Sequence, residues 1–240
     1  MSSTKVFRDA PLSIKSRILF EDNHLIIVNK LPSEIVQGDK TGDETLLDTV
    51  KQYIKEKYNK PGDVFLGLAH RIDRPVSGAV IFAKTSKALT RMNEQIKNRE
   101  IQKIYWAIVK NRPNPEEGKL THWLIKNPKT NKSTAHDAEK EGAKKAELIY
   151  KLIDQSKDFH LLEIELLTGR HHQIRAQLSK IGCTIKGDLK YGSARSNKDT
   201  SISLHARQLI FTHPVSKAKM NIKANPPQDP LWGYFLGNQK

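Results

Sequence analysis

The sequence has 240 residues, with 41 Lys and Arg against 26 Asp and Glu, and its formal net charge of +15 at pH 7 favours a polyanionic partner such as nucleic acid. Charge alone leaves open a solvated, Lys-rich surface. The single cysteine, Cys183, excludes an internal disulfide framework and a cysteine-only metal site. Because no run approaches the roughly 18 to 20 apolar residues that span a bilayer, we expect a cytoplasmic protein that does not enter a membrane.

Short strands and helices are predicted after a polar start. Residues 1–17 are polar and predict a loose arm, with ordered structure beginning near Ile18. Apolar β-branched runs predict strands, and apolar residues at helical spacing predict helices, one of them capped by Ser86. In chain order these elements are a strand at 24–29, a helix at 44–58, a strand at 79–83, a helix at 86–98, strands at 104–109, 145–153 and 160–167, a helix at 170–181 and a strand at 204–212. The polar tracts after Asn111 and over residues 126–145 predict surface loops or a hairpin.

The order of these elements predicts an α+β fold. Strands outnumber helices and are irregularly spaced, and the sequence has neither βαβ alternation nor an internal repeat. We therefore expect a mostly antiparallel or mixed central sheet flanked by helices and loops, in one domain over residues 18–240. Without a heptad pattern or a large apolar helix face, a monomer is expected.

Four segments hold residues that could carry chemistry, and each also has a structural explanation. They are residues 70–73 (HRID), 103–105 (KIY), 168–175 (TGRHHQIR) and 187–192 (GDLKYG). Asp73, on a predicted loop, could be a turn residue in a surface ion pair. Tyr105 could be a core tyrosine. Arg175 lies beside the apolar stripe of its helix, where burial of the guanidinium would require a carboxylate or a phosphate.

The sequence favours chemistry without a cofactor. His171 and His172 are neighbours, so on a helix they point about 100° apart and share no face. No HExxH motif or CxxC pair completes a metal site, and both the Walker loop and the dinucleotide fingerprint are absent. We expect neither metal nor nucleotide cofactor.

Together and in this order, the four segments resemble the RluA family of RNA pseudouridine synthases. The stretch GLAHRIDRPVSGAVIFAKTSKA resembles the family's catalytic motif, HR[LI]D followed by SG and AKT. The match continues through IQKIYWAIV, LLTGRHHQIRAQLSKIGCTIKGDLKYG and LHARQLIFTHP, over roughly residues 18 to 222. The resemblance implies the pseudouridine synthase fold, and an enzyme that converts uridine in RNA to its C5-glycoside isomer without metal, nucleotide or redox cofactor.

The resemblance also implies roles for individual residues. Asp73 takes the place of the essential aspartate, acting near C1′ or C2′ either as nucleophile or as base. Arg175 is its implied positive partner, and Tyr105 is implied to stack on the target base and to assist proton transfer at C5. Arg71 is implied to fill the gap left by a flipped nucleotide. The remaining residues implied to contact substrate are His70, Arg170, Gln173 and Ile174, the last as an apolar wall of the uracil pocket.

Some positions depart from the family pattern. His171 stands where the family commonly has Thr or Ser, which puts contacts with phosphate or with the helix terminus in doubt. Gln37 and Asp39 lie where the family often reads NKPAG followed by VH, and they are expected to alter local substrate contacts. Only about 17 residues precede the first strand, so we expect no separate N-terminal RNA-binding module.

The predicted partner is a structured RNA. Lys-rich residues 84–103 and 126–145 predict a broad basic face, and RNA is typically read in loops, bulges and ends. The expected target is therefore a uridine in a stem-loop of ribosomal or transfer RNA. A catalytically silent RNA-binding or chaperone protein that keeps the fold and a metal-dependent nuclease using the histidines are the alternatives.

Overall fold

The computed structural model describes residues 13–38 and 42–238, and its strands form one continuous sheet within those ranges. In chain order the strands are β1 (Ile18–Glu21), β2 (Leu25–Lys30), β3 (Gly67–Leu68), β4 (Ser77–Ala83), β5 (Gln102–Val109), β6 (Glu117–Asn127), β7 (Lys132–His136), β8 (Lys144–Gln155), β9 (His160–Leu166), β10 (Leu204–Thr212) and β11 (Lys219–Lys223). Their spatial order is β1-β2-β4-β10-β5-β9-β8-β6-β7, with β11 added to β10 and β3 to β4.

The sheet is mixed, because one pairing runs parallel. His205 and Ala206 of β10 lie opposite Ser77 and Gly78 of β4 in parallel, and the other strand pairs are antiparallel. Gly78 has φ +122°, and a Cβ there would lie 2.4 Å from the Ala206 carbonyl oxygen. Only glycine fits such a close approach of two backbones.

Helices cover both faces of the sheet. They are α1 (Leu46–Lys57), α2 (Ser86–Lys97), α3 (Gln173–Lys180) and α4 (Pro230–Asn238). Buried side chains of α1 and α3 pack with Val80 and Phe82 of β4, whereas those of α2 pack with Ala79 and Ile81 on the opposite face. All seven residues of β4 are buried, which explains its continuous apolar sequence. This arrangement confirms the predicted α+β fold with a mixed sheet.

Some predicted boundaries were wrong. Thr85, not Ser86, caps α2, since the Thr85 side chain accepts a hydrogen bond from the Ala88 amide. Helix α3 begins at Gln173 and not near Arg170, because His172 has φ 53°, a left-handed conformation that cannot continue a helix.

Other elements were not predicted as strands or helices. Strand β6 lies where the sequence predicts surface loops or a hairpin, since Pro, Glu and Gly follow Asn111 and Lys recurs over residues 126–145. With β7 it forms the hairpin that was one of the two alternatives for the polar tract. Strand β11 and helix α4 were not anticipated.

The start of the described chain is packed against the fold. Residues Ile14–Arg17 form a 3-10 helix, and buried Arg17 pairs with Glu34, with Nη1 2.7 Å from Oε2. The described chain is therefore already ordered about one turn before the expected Ile18, and residues 1–12 of the predicted arm lie outside the described ranges. None of the helices within those ranges has the length and apolarity needed to cross a membrane.

Candidate active site

Asp73 lies on the loop that leads into β4, as predicted, and the loop is anchored on both sides of it. Ile72 and Val76 are buried in the core, and the Val76 amide donates to the Asp73 carbonyl oxygen at 3.0 Å. The Lys30 ammonium, itself fully buried, donates to the carbonyl oxygens of Leu31, Glu34 and Arg74. Burial lowers the pKa of Lys30 to about 7. The backbone that carries Asp73 is therefore fixed by core packing and hydrogen bonds.

Arg175, in the first turn of α3, joins two carboxylates. Its Nη1 donates to Asp73 Oδ2 at 3.1 Å, and its Nε and Nη2 donate to the two oxygens of Asp188 at 2.7 and 2.9 Å. Burial opposes the charge of Arg175, but the hydrogen bond to Asp188 and the nearby carboxylates outweigh it and raise the pKa. The side chain of Asp73 remains 30% exposed, whereas that of Asp188 is 1% exposed. Thus Asp188 anchors the guanidinium, and Asp73 faces the accessible side.

Asp188 was missed as a partner of Arg175, although it lies in one of the four segments that the sequence singled out. The signal available was the rule that a buried guanidinium requires an anion. His172 and Tyr191 were also missed: His172 Nε2 lies 3.5 Å from Asp73 Oδ2, and His172 Nδ1 lies 3.0 Å from the Tyr191 hydroxyl.

A pocket of about 100 Å³ opens beside Asp73. Its apolar walls come from Ile72, Val76, Leu166, Ile174 and Leu204, and Tyr105 of β5 also lines it. Tyr105 is 8% exposed, and burial together with the Asp73 charge raises the pKa of its phenol. The Tyr105 phenol, which keeps its proton, and the Asp73 carboxyl therefore line one small, mostly apolar pocket.

Two grooves with charged linings flank this pocket. The first, of about 710 Å³, is lined by Asp73 and by the cationic residues Arg71, Arg74, Lys126, Arg175 and Lys190; we call it the Lys126 groove. The second, of about 690 Å³, is lined by both basic and acidic residues, among them Lys97, Arg99, Lys103, Glu147 and Glu165. Both Lys-rich segments predicted from the sequence thus contribute to the surface around the pocket.

The residues expected to contact substrate are distributed unevenly. Arg71 is exposed and lines both the pocket and the Lys126 groove, and Arg170 stands at the rim of the pocket, where its Nε donates to the Lys145 carbonyl oxygen. Gln173 also lines the pocket, but its amide is occupied by Thr168, Arg170 and Glu147. It holds the turn before α3.

His70 is not brought to the pocket or to the Lys126 groove. Its Nε2 accepts a hydrogen bond from the Ile81 amide at 3.2 Å, which ties the loop to strand β4. Burial, with a smaller effect of Lys103, lowers the pKa of His70 to about 3. The structure places this ring in a supporting position.

Two of the positions that depart from the family pattern, Gln37 and His171, line the Lys126 groove. His171 lines this groove, stacks on His172 with ring centroids 3.8 Å apart, and contacts the Ser133 hydroxyl through Nδ1. Gln37 also lines the groove, and Asp39 lies outside the described residues. Within the described part of the chain, no three His, Cys, Asp or Glu side chains are clustered so as to hold a metal ion.

Comparison with known proteins identifies the family of the chain. The family described as RNA pseudouridylate synthase matches residues 24–180. "Ribosomal large subunit pseudouridine synthase D" of Zymomonas mobilis is 33% identical over 230 residues, covering 91% of this chain and 72% of that protein. "Ribosomal large subunit pseudouridine synthase C" of Buchnera aphidicola is 34% identical over 230 residues, covering 93% and 69%.

A solved structure shares the fold. Human RNA Pseudouridylate Synthase Domain Containing 4 superposes with a TM-score of 0.77 at 22% identity, covering 92% of this chain and 93% of that one. This likeness confirms the predicted pseudouridine synthase fold. Since the family match covers more than half of the sequence and relatives above 30% identity align over most of their length, the chain belongs to the RluA family of RNA pseudouridine synthases, which isomerise uridine in RNA to pseudouridine.

Proposed function

We propose that this enzyme acts on uridines in stem-loops of ribosomal or transfer RNA and that Asp73 is its catalytic carboxylate. The observation that carries the proposal is the ion pair between Asp73 Oδ2 and Arg175 Nη1, 3.1 Å apart, at the edge of the pocket that Tyr105 lines. A guanidinium at that distance forms a charge-assisted hydrogen bond that restrains the rotamer of the Asp73 side chain.

The reaction needs such a carboxylate. The N1–C1′ bond breaks, the uracil rotates, C5 bonds to C1′, the proton on C5 leaves, and N1 takes up a proton. An ionised Asp73 can assist either by attacking C1′ as a nucleophile or by removing a proton from C2′ as a base. Both roles require a carboxylate oxygen beside the sugar of a bound nucleotide.

Tyr105 is proposed to form one face of the uracil site. An aromatic ring offers a stacking platform to an unstacked base. Its raised pKa means that the phenol carries its proton at neutral pH, so it can donate a hydrogen bond, and it can relay the proton lost from C5 only by releasing its own as it receives that one. Ile174, 4% exposed, is the proposed apolar wall.

The proposed substrate enters as a flipped nucleotide, because a ring cannot detach and rotate within a stacked helix. Arg71 is exposed between the pocket and the Lys126 groove, where it can occupy the gap left in the stack. The cations of that groove are placed to contact phosphates on the adjoining strand.

The kind of RNA is a further proposal. The Zymomonas and Buchnera relatives carry the words "ribosomal large subunit" in their names, and this favours ribosomal RNA as the first substrate to test. We also propose that residues 18–240 act as one catalytic domain, as a monomer in the cytoplasm.

Substitution of Asp73 tests the catalytic assignment. Asp73→Asn keeps the shape and removes the charge, so we expect turnover to fall by at least about a thousandfold while RNA binding survives. Turnover is measured as tritium released from RNA labelled with [5-³H]uridine and isolated from cells that lack the gene, and binding is measured by filter retention of the same RNA.

Asp158→Asn is the matched control, since Asp158 is exposed and pairs only with Lys110 among the described residues. It should leave both turnover and binding unchanged. Substantial tritium release by the Asp73→Asn protein would refute the catalytic role. A wild-type protein that binds these RNAs without releasing tritium would favour the silent RNA-binding alternative.

A further inference from the structure

The two oxygens of Asp73 have different surroundings. Arg175 Nη1 and His172 Nε2 both approach Oδ2, at 3.1 and 3.5 Å. Among the described residues, no side chain or amide donates to Oδ1. Because Arg175 and His172 both approach Oδ2, Oδ1 is the oxygen of Asp73 that is available to a substrate.

The proton of the His172 ring is directed by its neighbours. The Tyr191 hydroxyl accepts from the Ser133 amide at 2.8 Å and lies 3.0 Å from His172 Nδ1. Because that amide can only donate, the hydroxyl proton is free to point at Nδ1, which then acts as the acceptor. A neutral imidazole that accepts at Nδ1 carries its proton on Nε2, the nitrogen that faces Asp73.

The ring is also held in place and kept neutral. The backbone of His172 has φ 53°, a strained conformation for a residue with a side chain, and such strain persists where the surroundings enforce it. The His171 ring stacks on it at 3.8 Å with 20° between planes. Burial, followed by the charge of Arg175, lowers the pKa of His172 to about 2, so the ring remains uncharged at neutral pH.

We propose that His172 is a positioning residue. Tyr191 fixes the tautomer of His172 that carries the proton on Nε2. His172 and Arg175 together hold Oδ2 of Asp73, so that Oδ1 is the oxygen presented to the ribose. This inference rests on the proposed catalytic role of Asp73. The 3.5 Å contact is long for a hydrogen bond, and contacts of this kind in free enzymes shorten when substrate binds.

Two substitutions at position 172 separate positioning from packing. Asn tolerates the left-handed conformation and can still reach Tyr191, but it is too short to reach Asp73. Gln can place an amide N–H where Nε2 lies. In the tritium-release assay with RNA from cells lacking the gene, His172→Asn should lower kcat about tenfold, the usual loss for one hydrogen bond to a charged group, and His172→Gln should recover most of it. KM and the melting temperature should change little in both variants.

Tyr191→Phe supplies a second test. Without the hydroxyl, the proton can move to Nδ1 and the lone pair of Nε2 would face the carboxylate, so kcat should fall several-fold. An amide has no tautomer to lock, so Tyr191→Phe added to His172→Gln should not lower kcat further. This non-additivity is the signature expected of coupled residues.

Several outcomes would overturn the inference. The first is an unchanged kcat for His172→Asn, and the second is an equal loss of kcat for His172→Gln and His172→Asn. The third is that Tyr191→Phe lowers kcat by the same factor in the wild type and in His172→Gln. If His172→Asn fails to fold, the Tyr191→Phe pair decides. An active wild-type enzyme with any of these results would reject the positioning role alone, whereas a wild-type enzyme that releases no tritium would reject the proposed function itself.

Discussion

Arg175 shows at the level of one residue how a buried charge is made tolerable in this protein. A guanidinium removed from water is costly unless its donors are paired, and here three of its nitrogens donate to two carboxylates. Asp188 takes two of these bonds and is itself 1% exposed. Removing either partner of such a pair leaves an uncompensated buried charge.

Asp188→Asn should therefore destabilise the protein strongly, by about 3 to 5 kcal/mol, because the guanidinium stays buried and loses its charged anchor. Turnover should also fall, since Arg175 would no longer be held in line with Asp73. Urea unfolding followed by circular dichroism measures the first effect, and tritium release from the labelled RNA measures the second.

Glu116→Gln is the comparison, because Glu116 pairs with Arg112 at an exposed position. Exposed ion pairs contribute little, so its unfolding midpoint should stay close to that of the wild type. Equal losses in the two variants would show that the burial of Asp188 has no special importance.

At the level of elements, the parallel contact between β4 and β10 depends on Gly78. Gly78→Ala would place a methyl group 2.4 Å from the Ala206 carbonyl oxygen and impose a side chain at φ +122°. We expect a loss of roughly 2 kcal/mol or more in the free energy of unfolding, together with faster amide exchange in both strands. Urea unfolding and hydrogen exchange measure these effects.

Gly118→Ala in β6 provides the control. Its nearest neighbours for an added methyl group are atoms of Tyr150 at 3.6 Å or more, which is ordinary contact. Alanine should therefore be neutral or slightly stabilising there. If both alanines had the same effect, the close approach of β4 and β10 would not be what demands glycine.

Elements with one dominant apolar pattern were predictable from the sequence, and elements without one were not. Strand β4 is buried on both faces and reads as a continuous apolar run, and α2 repeats Ala88 and Met92 at helical spacing on one face. In β6 only two of eleven residues are buried, so the strand is defined by its partners β7 and β8 and not by its own composition.

The same limit applies to the site. Sequence comparison with the RluA family placed Asp73 and Arg175 in one site, although they lie 102 positions apart. The contacts of Arg175 with Asp188 and of His172 with Tyr191 depend on how the 187–192 turn folds back on α3. A local pattern carries no information about that contact. His70, by contrast, lies near Asp73 in sequence but does not line the pocket.

Over the whole molecule, the surplus Lys and Arg side chains can bind RNA phosphates where no acidic side chain pairs with them. In the Lys126 groove, Arg74 pairs with Asp43 at 2.9 Å. Lys126 forms no ion pair with any described residue and is exposed. It is thus a candidate phosphate contact.

Lys126→Ala should weaken RNA binding to a similar extent for different stem-loops, and it should reduce the slope of log K against log salt by about one. Filter binding over a series of salt concentrations measures both effects. Lys157→Ala is the control, since Lys157 is exposed in the turn between β8 and β9, at the far end of β9 from the pocket. An unchanged slope for Lys126→Ala would remove Lys126 from the RNA contact surface.

The bidentate hydrogen bonding of Arg175 to Asp188 has a consequence for an enzyme that binds a highly charged polymer. Exposed Lys and Arg side chains around the cleft can bind either RNA phosphates or dissolved anions. The Arg175 guanidinium cannot leave Asp73 to bind a phosphate, because Asp188 holds it with two hydrogen bonds. Arg175 therefore stays beside Asp73 when phosphates of the RNA bind near the site. As a consequence, RNA binding and the chemical step can depend differently on ionic strength.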